Sequence, residues 1–352
     1  MKNLLVTGGC GFIGSNFIRY LLKAADFAGR IVNVDKLTYA GNPESLADIA
    51  EIHDRRYIFE RADVCDARAM KGIFQKYRID AVCHFAAESH VDRSIVRPDA
   101  FVQTNIVGTF NLLELARADQ ERMAVFHHVS TDEVFGSLGA EGYFREDTPY
   151  RPNSPYSASK AASDHLVRAY HRTYGLPVTI SNCSNNYGPC QFPEKLIPLM
   201  ILTALEGRPL PIYGDGRNVR DWLYVEDHCA AVWTIMQKGR RGDTYNVGGN
   251  SEMENLRVVE MLCDILDEVA PASGGASRRS LMTFVKDRPG HDRRYAIDCS
   301  KLTRDLEWQP RETFASGLRR TIVWYLNNRP WVERVQSGEY RAWLAEHYGR
   351  TE

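Results

Sequence analysis

Leu4-Leu-Val-Thr-Gly-Gly-Cys-Gly-Phe-Ile-Gly14 reads as a short apolar strand running straight into glycines, and the residues after it, Ser15 to Ala25, carry a helical pattern. Gly9, Gly11 and Gly14 fit G-x-G-x-x-G, while Gly8, Gly11 and Gly14 fit the related G-x-x-G-x-x-G. Glycines at such a turn let the chain bend tightly, let backbone approach a pyrophosphate, and let the helix pack close to the strand. The helix N-terminus then offers unpaired N–H groups to the anion. A bare glycine pattern also serves as a plain structural turn, so the position and ending of the next strand decide. Arg30-Ile-Val-Asn-Val-Asp35 is a second apolar strand ending in an acid, roughly 20 residues beyond Gly14. A carboxylate there accepts both ribose hydroxyls and repels a 2′-phosphate, which favours NAD over NADP. Lys36, next door, softens that preference slightly.

Further along the chain, Arg56 to Ala62 reads as a third strand leading to Asp63 and Val64, expected beside an adenine, and Ala81 to Ala87 as a fourth. Helical stretches lie between them and after them, Ala67 to Tyr77 and about Asp99 to Ala118. Alternation at this spacing predicts a doubly wound parallel sheet of the Rossmann kind, whose strand C-termini share one ligand-binding edge. Ala86 and Ala87 are small, as backbone crowded against a cofactor requires. Glu88, Ser89, His90, Asp92 and Arg93 come directly after, as either a self-bonded polar loop or a set of contacts.

Phe126-His-His-Val-Ser-Thr-Asp-Glu-Val-Phe-Gly136 reads as the fifth strand, ending in a hydroxyl and two adjacent carboxylates. Inside a strand, Asp132 and Glu133 would point to opposite faces. If the strand stops near Ser130, the turn after it aims both at one pocket. Tyr156-Ser-Ala-Ser-Lys160 opens a helix running to about Tyr174, with Tyr156 and Lys160 sharing one face. A lysine ammonium there lowers the phenol's pKa and holds the cofactor ribose, so the tyrosine acts as a base near neutrality. Y-x-x-x-K alone is a common surface pair, and its meaning rests on the dinucleotide pattern before it.

Leu176 to Ser181 reads as a sixth strand, and Asn182 to Lys195 as an irregular excursion from the sheet that Pro209 to Gly216 continues. Arg220 falls in a polar–aromatic patch. A helix from Val225 to Gln237 and the strand Thr244 to Val247 return to the sheet. Arg288-Pro-Gly-His-Asp-Arg-Arg-Tyr-Ala-Ile-Asp298 has the composition of a diphosphate grip or of a solvated charged loop. The expected division is residues 1–181 with 225–250 as the dinucleotide-binding domain, and 182–224 with 251–352 as a smaller mixed α/β C-terminal substrate domain.

Composition narrows the class. Lys plus Arg number 44 against 45 Asp plus Glu, a net charge of -1, so no overall field recruits nucleic acid or a membrane surface. The eight cysteines show no paired spacing, so neither a disulfide framework nor a metal site is expected. No apolar run reaches spanning length, and Met1-Lys-Asn-Leu-Leu-Val reads as a strand start and not a signal peptide. A reduced, cytoplasmic enzyme is the expectation.

Together these segments resemble the extended short-chain dehydrogenase/reductases, and within them the dTDP-glucose 4,6-dehydratase family, from about residue 2 to about residue 330. Gly8 to Ser15, Phe85 to Ser94, Ser130 to Gly136, Asn153 to Lys160, Asn182 to Pro198, Arg220 to His228 and Arg288 to Asp298 carry the likeness. The Asp132–Glu133 pair discriminates, because sugar-nucleotide epimerases of the superfamily lack it. Phe135 and Cys10 depart from the family's usual Tyr and Ala. The resemblance implies Thr131, Asp132, Glu133, Tyr156 and Lys160 as catalytic residues. Tyr156, assisted by Lys160 and Thr131, takes the C4 hydroxyl proton, Glu133 the C5 proton, and a protonated Asp132 donates to the departing C6 hydroxyl. It implies NAD held by Gly8, Gly11, Phe12, Ile13, Gly14, Asp35, Lys36, Thr38, Asp63, Val64, Ala86, Ala87, Thr104 and Asn186 with the Tyr–Lys pair. It implies dTDP-glucose held by Ser89, Thr131, Asn185, Lys195, Arg220, Asn255, Arg288, His291 and Tyr295. A homodimer is implied, joined by helices at about Asp99–Ala118 and Ser157–Tyr174. A related NAD-dependent epimerase or decarboxylase, and a non-catalytic NAD-binding protein, are the competing readings.

Overall fold

The structure, a computed structural model, describes residues 1–52, 55–272, 274–287 and 292–337 of the 352-residue chain. Its strands in chain order are β1 (Asn3–Thr7), β2 (Arg30–Asp35), β3 (Tyr57–Arg61), β4 (Ala81–His84), β5 (Val125–Thr131) and β6 (Val178–Cys183). There follow β7 (Asn185–Tyr187), β8 (Leu210–Tyr213), β9 (Val219–Tyr224), β10 (Thr244–Val247), β11 (Glu252–Glu254) and β12 (Met282–Val285).

Seven strands form one sheet in the order β10-β6-β5-β4-β1-β2-β3, every neighbouring pair parallel. Alternate residues of β1 feed opposite faces. Leu4 and Val6 join the cluster of Phe17, Ile18 and Leu21 from helix Phe12–Lys23, with Val232 and Trp233 from helix Val225–Lys238. Leu5 joins Met70, Leu112, Leu113, Phe126 and Val167 beneath the helices at Ala67–Tyr77, Gly108–Ala118 and Pro155–Tyr174. A sheet covered on both faces accounts for the unbroken apolar runs of its strands. The order reverses at β1, which has β2 on one side and β4 on the other, so the crevice for a ligand opens between the turns after β1 and β4.

The Asp99–Ala118 stretch differs from the uniform helix expected. It starts at Pro98, winds as a π-helical turn over Val102–Val107, and resumes as α-helix at Gly108. The carbonyl of Asn105 accepts from Thr109 Oγ1 at 2.6 Å and Ser163 Oγ at 2.7 Å, side-chain bonds that satisfy it where the helical ladder widens. Helix Pro155–Tyr174 is sharply bounded. Ser154 and Ser157 form a reciprocal capping box, Pro155 fills the first turn, and Gly175 closes it at φ 73°.

The remainder packs as a second body. β7, β9 and β11 form a three-stranded sheet, and β8 pairs with β12. Pro209–Gly216 is thus less irregular than its prolines suggest, since Leu210–Tyr213 is a strand. A core of Tyr187, Met200, Trp222, Leu262, Leu318 and Tyr325 holds this part together.

Candidate active site

The crevice at the β1/β4 switch is a cavity of about 320 Å³. Its floor is glycine backbone. A Cβ on Gly8, which sits at φ +70°, would lie 2.7 Å from the Ala86 backbone, and one on Gly14 would lie 2.3 Å from the Gly8 carbonyl oxygen. The first contact closes the turn after β1 onto that after β4, and the second seats the helix on the turn. Gly11, Phe12 and Ile13 line the same end of the cavity, with Ala86 and Ala87 opposite and Thr104, from the π-helical turn, alongside. A floor without side chains, backed by a helix N-terminus, fits a dinucleotide pyrophosphate.

Asp35 closes β2 at the rim. Its Oδ2 accepts from the Cys10 N–H at 2.9 Å and its Oδ1 from the Leu37 N–H at 2.8 Å, which orients the carboxylate and leaves lone pairs for a ribose. Burial pushes its pKa up, and these two N–H groups pull against that. Lys36 does not counter it. Lys36 Nζ sits 2.6 Å from Asp63 Oδ2, so its charge is answered within the protein. Asp63 and Val64 line the cavity beyond, as does Thr38.

At the other end β5 runs through Thr131, one residue further than expected, and the chain then turns into a 3₁₀ turn over Asp132–Phe135. Thr131 caps that turn, its Oγ1 accepting from the Glu133 N–H at 3.2 Å. An extended chain would have sent the two acids to opposite faces, but the turn brings both Asp132 and Glu133 into the cavity wall. Asp132 is 2% exposed, and burial above all, then the charge of Glu133, then Asp221, pushes its pKa well above the carboxylate range. The burial and the like charge beside it both favour the protonated form. Burial contributes more to this than the like-charge neighbour.

Tyr156 and Lys160 reach the same wall from helix Pro155–Tyr174. Lys160 is 4% exposed, donates to the Val129 carbonyl at 2.8 Å, and burial brings its pKa down to about 8. Tyr156 departs from expectation. Burial first, then Glu133, drives its phenol well above its ordinary pKa, and only the Thr131 hydroxyl among its close partners pulls usefully downward. The Lys160 ammonium directs a hydrogen bond at the strand backbone, and within the protein alone it does not bring the phenol toward neutrality.

Ser89, Asn185, Asn186 and Lys195 also line the cavity. Lys195 Nζ is 3.4 Å from the Ser89 carbonyl, and Asn186 Oδ1 is 2.9 Å from His228 Nδ1. Arg220 and Tyr295 are not in the cavity wall. Arg220 lies over the Tyr295 ring at 4.4 Å from its centroid, and its positive charge acts on Asp132 while Glu133 acts on Tyr295. They stand just behind the acids. Asn255 begins the helix Asn255–Val269, its N–H bonded to the Asn218 carbonyl at 3.0 Å, away from the lining. Arg288 and His291 lie outside the described residues.

Several residues escaped the sequence reading. Asn105 grips Glu88 by both backbone groups, accepting its N–H at 2.9 Å and donating to its carbonyl at 3.0 Å, which fixes the loop carrying Ala87 and Ser89. Glu194, with a side chain 2% exposed, lines the cavity and pairs with Arg93 at 3.4 Å. Asp164 and His128 are both 0% exposed behind Lys160. For Asp164 a signal existed, since Tyr156, Lys160 and Asp164 recur every four residues along one helix face. Among the described residues no cluster of His, Cys, Asp or Glu could hold a metal, and no helix is long and apolar enough to cross a membrane.

A parallel sheet of this order, a glycine-floored cleft with an acid at its ribose end, and a Tyr–Lys pair on the adjoining helix define an extended short-chain dehydrogenase/reductase. Residues 5–321 match the family model described as GDP-mannose 4,6 dehydratase. The chain is 56% identical to dTDP-glucose 4,6-dehydratase 1 of Escherichia coli strain K12, over 98% of both chains. The crystal structure of DesIV, a dTDP-glucose 4,6-dehydratase from Streptomyces venezuelae with NAD and TYD bound, superposes with a TM-score of 0.87 at 46% identity, covering 95% of this chain and 99% of that one. UDP-glucose 4-epimerase of Thermotoga maritima, with UDP-glucose, superposes nearly as well, TM-score 0.83, but at 28% identity, covering 93% and 99%. The chain belongs to the dTDP-glucose 4,6-dehydratase family.

Proposed function

We propose that this protein converts dTDP-glucose to dTDP-4-keto-6-deoxyglucose and water as an NAD-dependent hydro-lyase. The observation that carries the reading is the capped turn at the end of β5, which sets a buried acid with a raised pKa and a second carboxylate beside Tyr156 in the wall of a dinucleotide cleft. An epimerase needs only the redox half of such a site; a paired acid and base serve elimination.

The glycine turn, Asp35 and Lys160 would hold NAD, which would supply a hydride acceptor for C4 and a hydride donor for C6 and so be regenerated in each turnover. The residues do the rest. Tyr156 accepts the C4 hydroxyl proton, with Thr131 bonding its phenol oxygen and Lys160 supplying positive charge nearby. The 4-ketone so formed acidifies the C5–H. Glu133 removes that proton, and Asp132 gives its own to the leaving C6 hydroxyl, which departs as water. Asn185 and Lys195 in the cavity wall hold the nucleotide and diphosphate and Ser89 lies near the sugar; Arg220, Asn255, Arg288, His291 and Tyr295 are assigned to the nucleotide and diphosphate by the family resemblance alone.

The site is shared between a dinucleotide domain of residues 1–181 with 225–250 and a substrate domain of 182–224 with 251–352. The protein works as a homodimer joined by the helices at 98–118 and 155–174. In support, Val102 and Phe110 on the first are 50% and 44% exposed. Eight free thiols suit a cytoplasmic setting.

Incubation with dTDP-glucose in deuterated water tests the activity. The expected product is a 4-keto-6-deoxy sugar carrying deuterium at C5, formed without added oxidant. A hexose epimer with its C6 hydroxyl intact refutes the proposal.

A further inference from the structure

Behind the cavity wall lies a group that the dehydration itself does not use. Asp164 comes one helical turn after Lys160 on the face turned toward β5, and it is 0% exposed. Its Oδ2 accepts from Ser130 Oγ at 2.9 Å and from Tyr150 OH at 2.7 Å, and the Tyr150 oxygen in turn receives Arg168 Nη2 at 2.6 Å. Its Oδ1 is 3.3 Å from His128 Nε2, and that same nitrogen is 3.4 Å from Lys160 Nζ. One nitrogen of the imidazole is thus shared by a buried carboxylate and a buried amine, which brings the two close to each other. A buried ammonium without a counter-charge gives up its proton, and a buried carboxylate without one takes a proton up.

We propose that Asp164 is a positioning residue whose negative charge, set beside His128 Nε2 where Lys160 also approaches, keeps the buried Lys160 side chain an ammonium while Tyr156 takes the C4 hydroxyl proton. This rests on the dehydratase reading.

The surroundings agree. Burial lifts the Asp164 carboxyl, but His128, Lys160 and Tyr150 outweigh it and leave the group below its ordinary pKa. Burial takes His128 down to about 4, so the ring is uncharged at neutral pH. Lys160 feels burial downward and Asp164 upward. The other titratable groups around this pair are His84, whose ring centroid is 5.3 Å from that of His128, and Cys183 on β6. Tyr156 and Arg168 belong to the same helix, and Asp132 and Glu133 to the turn after β5. Of these Asp164 is the acid whose oxygen lies 3.3 Å from the ring nitrogen that Lys160 also approaches.

The test is the titration of Lys160, followed by NMR of the full chain carrying lysine labelled with carbon-13 at Cε, the signal assigned by its loss in Lys160→Arg. The midpoint is expected near 8 in the parent and lower by about one pH unit or more, a tenfold easier loss of the proton, in Asp164→Asn. Asp164→Glu should recover part of that shift. With dTDP-glucose, the pH dependence of the rate of C4 oxidation should move down in pH by the same interval. A folded Asp164→Asn whose Lys160 midpoint is unmoved, and whose rate falls by one factor at every pH, makes Asp164 merely structural and overturns the proposal. If Asp164→Asn does not fold, His128→Gln decides, because the carboxylate stays. Its Lys160 midpoint should stay within about half a unit of the parent's, and any larger fall assigns the effect to the ring and refutes the proposal. The titration needs no substrate, so failure of the parent to dehydrate dTDP-glucose would sink the dehydratase reading while leaving this result legible.

Discussion

Asp132→Asn separates the acid step from the oxidation that precedes it. Asp132 is 2% exposed and its surroundings favour the protonated form, which asparagine copies in shape and charge while removing the transferable proton. A positioned general acid contributes about 10² to 10⁴ in rate, which is roughly 3 to 5 kcal/mol of barrier at 1.36 kcal/mol per tenfold. The C4 oxidation does not draw on that proton. Stopped-flow absorbance should therefore show reduced nicotinamide forming at a rate within about tenfold of the parent and then persisting, since elimination is slowed by about 10² to 10⁴. Stability supplies an independent check. A carboxyl whose folded pKa is raised contributes stability that is present below its unfolded pKa and is lost as pH rises through the folded value. The parent alone carries that loss, so the Tm of Asp132→Asn minus that of the parent should increase as pH is raised from about 4. Elimination at the parental rate, or a Tm difference that shrinks with rising pH, refutes the assignment.

Glu133→Gln should abolish deuterium uptake at C5 from deuterated water while reduced nicotinamide still forms, as product mass spectrometry and absorbance would show. Gly14→Ala, whose Cβ would lie 2.3 Å from the Gly8 carbonyl oxygen, should cost about 1 to 3 kcal/mol in thermal unfolding by overpacking and weaken NAD binding in calorimetry. Gly72→Ala in helix Ala67–Tyr77 meets nothing within 4 Å and should instead gain about 0.5 to 1 kcal/mol. Asp35→Ala strands the N–H groups of Cys10 and Leu37 and removes the charge facing a 2′-phosphate. Its preference for NAD over NADP, measured as a Kd ratio, should fall at least tenfold.

Where the information is local, the sequence was enough. β2 and β10 and helix Ala67–Tyr77 have the limits their patterns predict, because apolar runs, a cap at Asp66 and charged or polar flanks all lie within a few residues. The Asp132–Glu133 turn was legible as a condition, that the strand should stop, though not to the residue. What failed to show depends on neighbours distant in sequence. The Lys36–Asp63 pair exists because β2 and β3 run in parallel register, Asp35 opposite Arg61, so that the residues after each meet side by side. One of the two side-chain bonds that satisfy the carbonyl in the π-helical turn comes from Ser163, on another helix. Arg220 and Tyr295 come to the acids from β9 and the stretch beyond β12, a meeting that no spacing along the chain announces.

The turn after β5 also bears on how such enzymes diverge. On the proposed reading the glycine loop, Asp35 and the Tyr156–Lys160 helix make up the redox apparatus, and the two acids ride on four residues that Thr131 caps from its own side chain. Nothing in the cofactor floor must be rebuilt to add or delete them. On that reading the difference between elimination and redox chemistry alone rests on two adjacent codons, while the cleft that grips a dinucleotide is common to both.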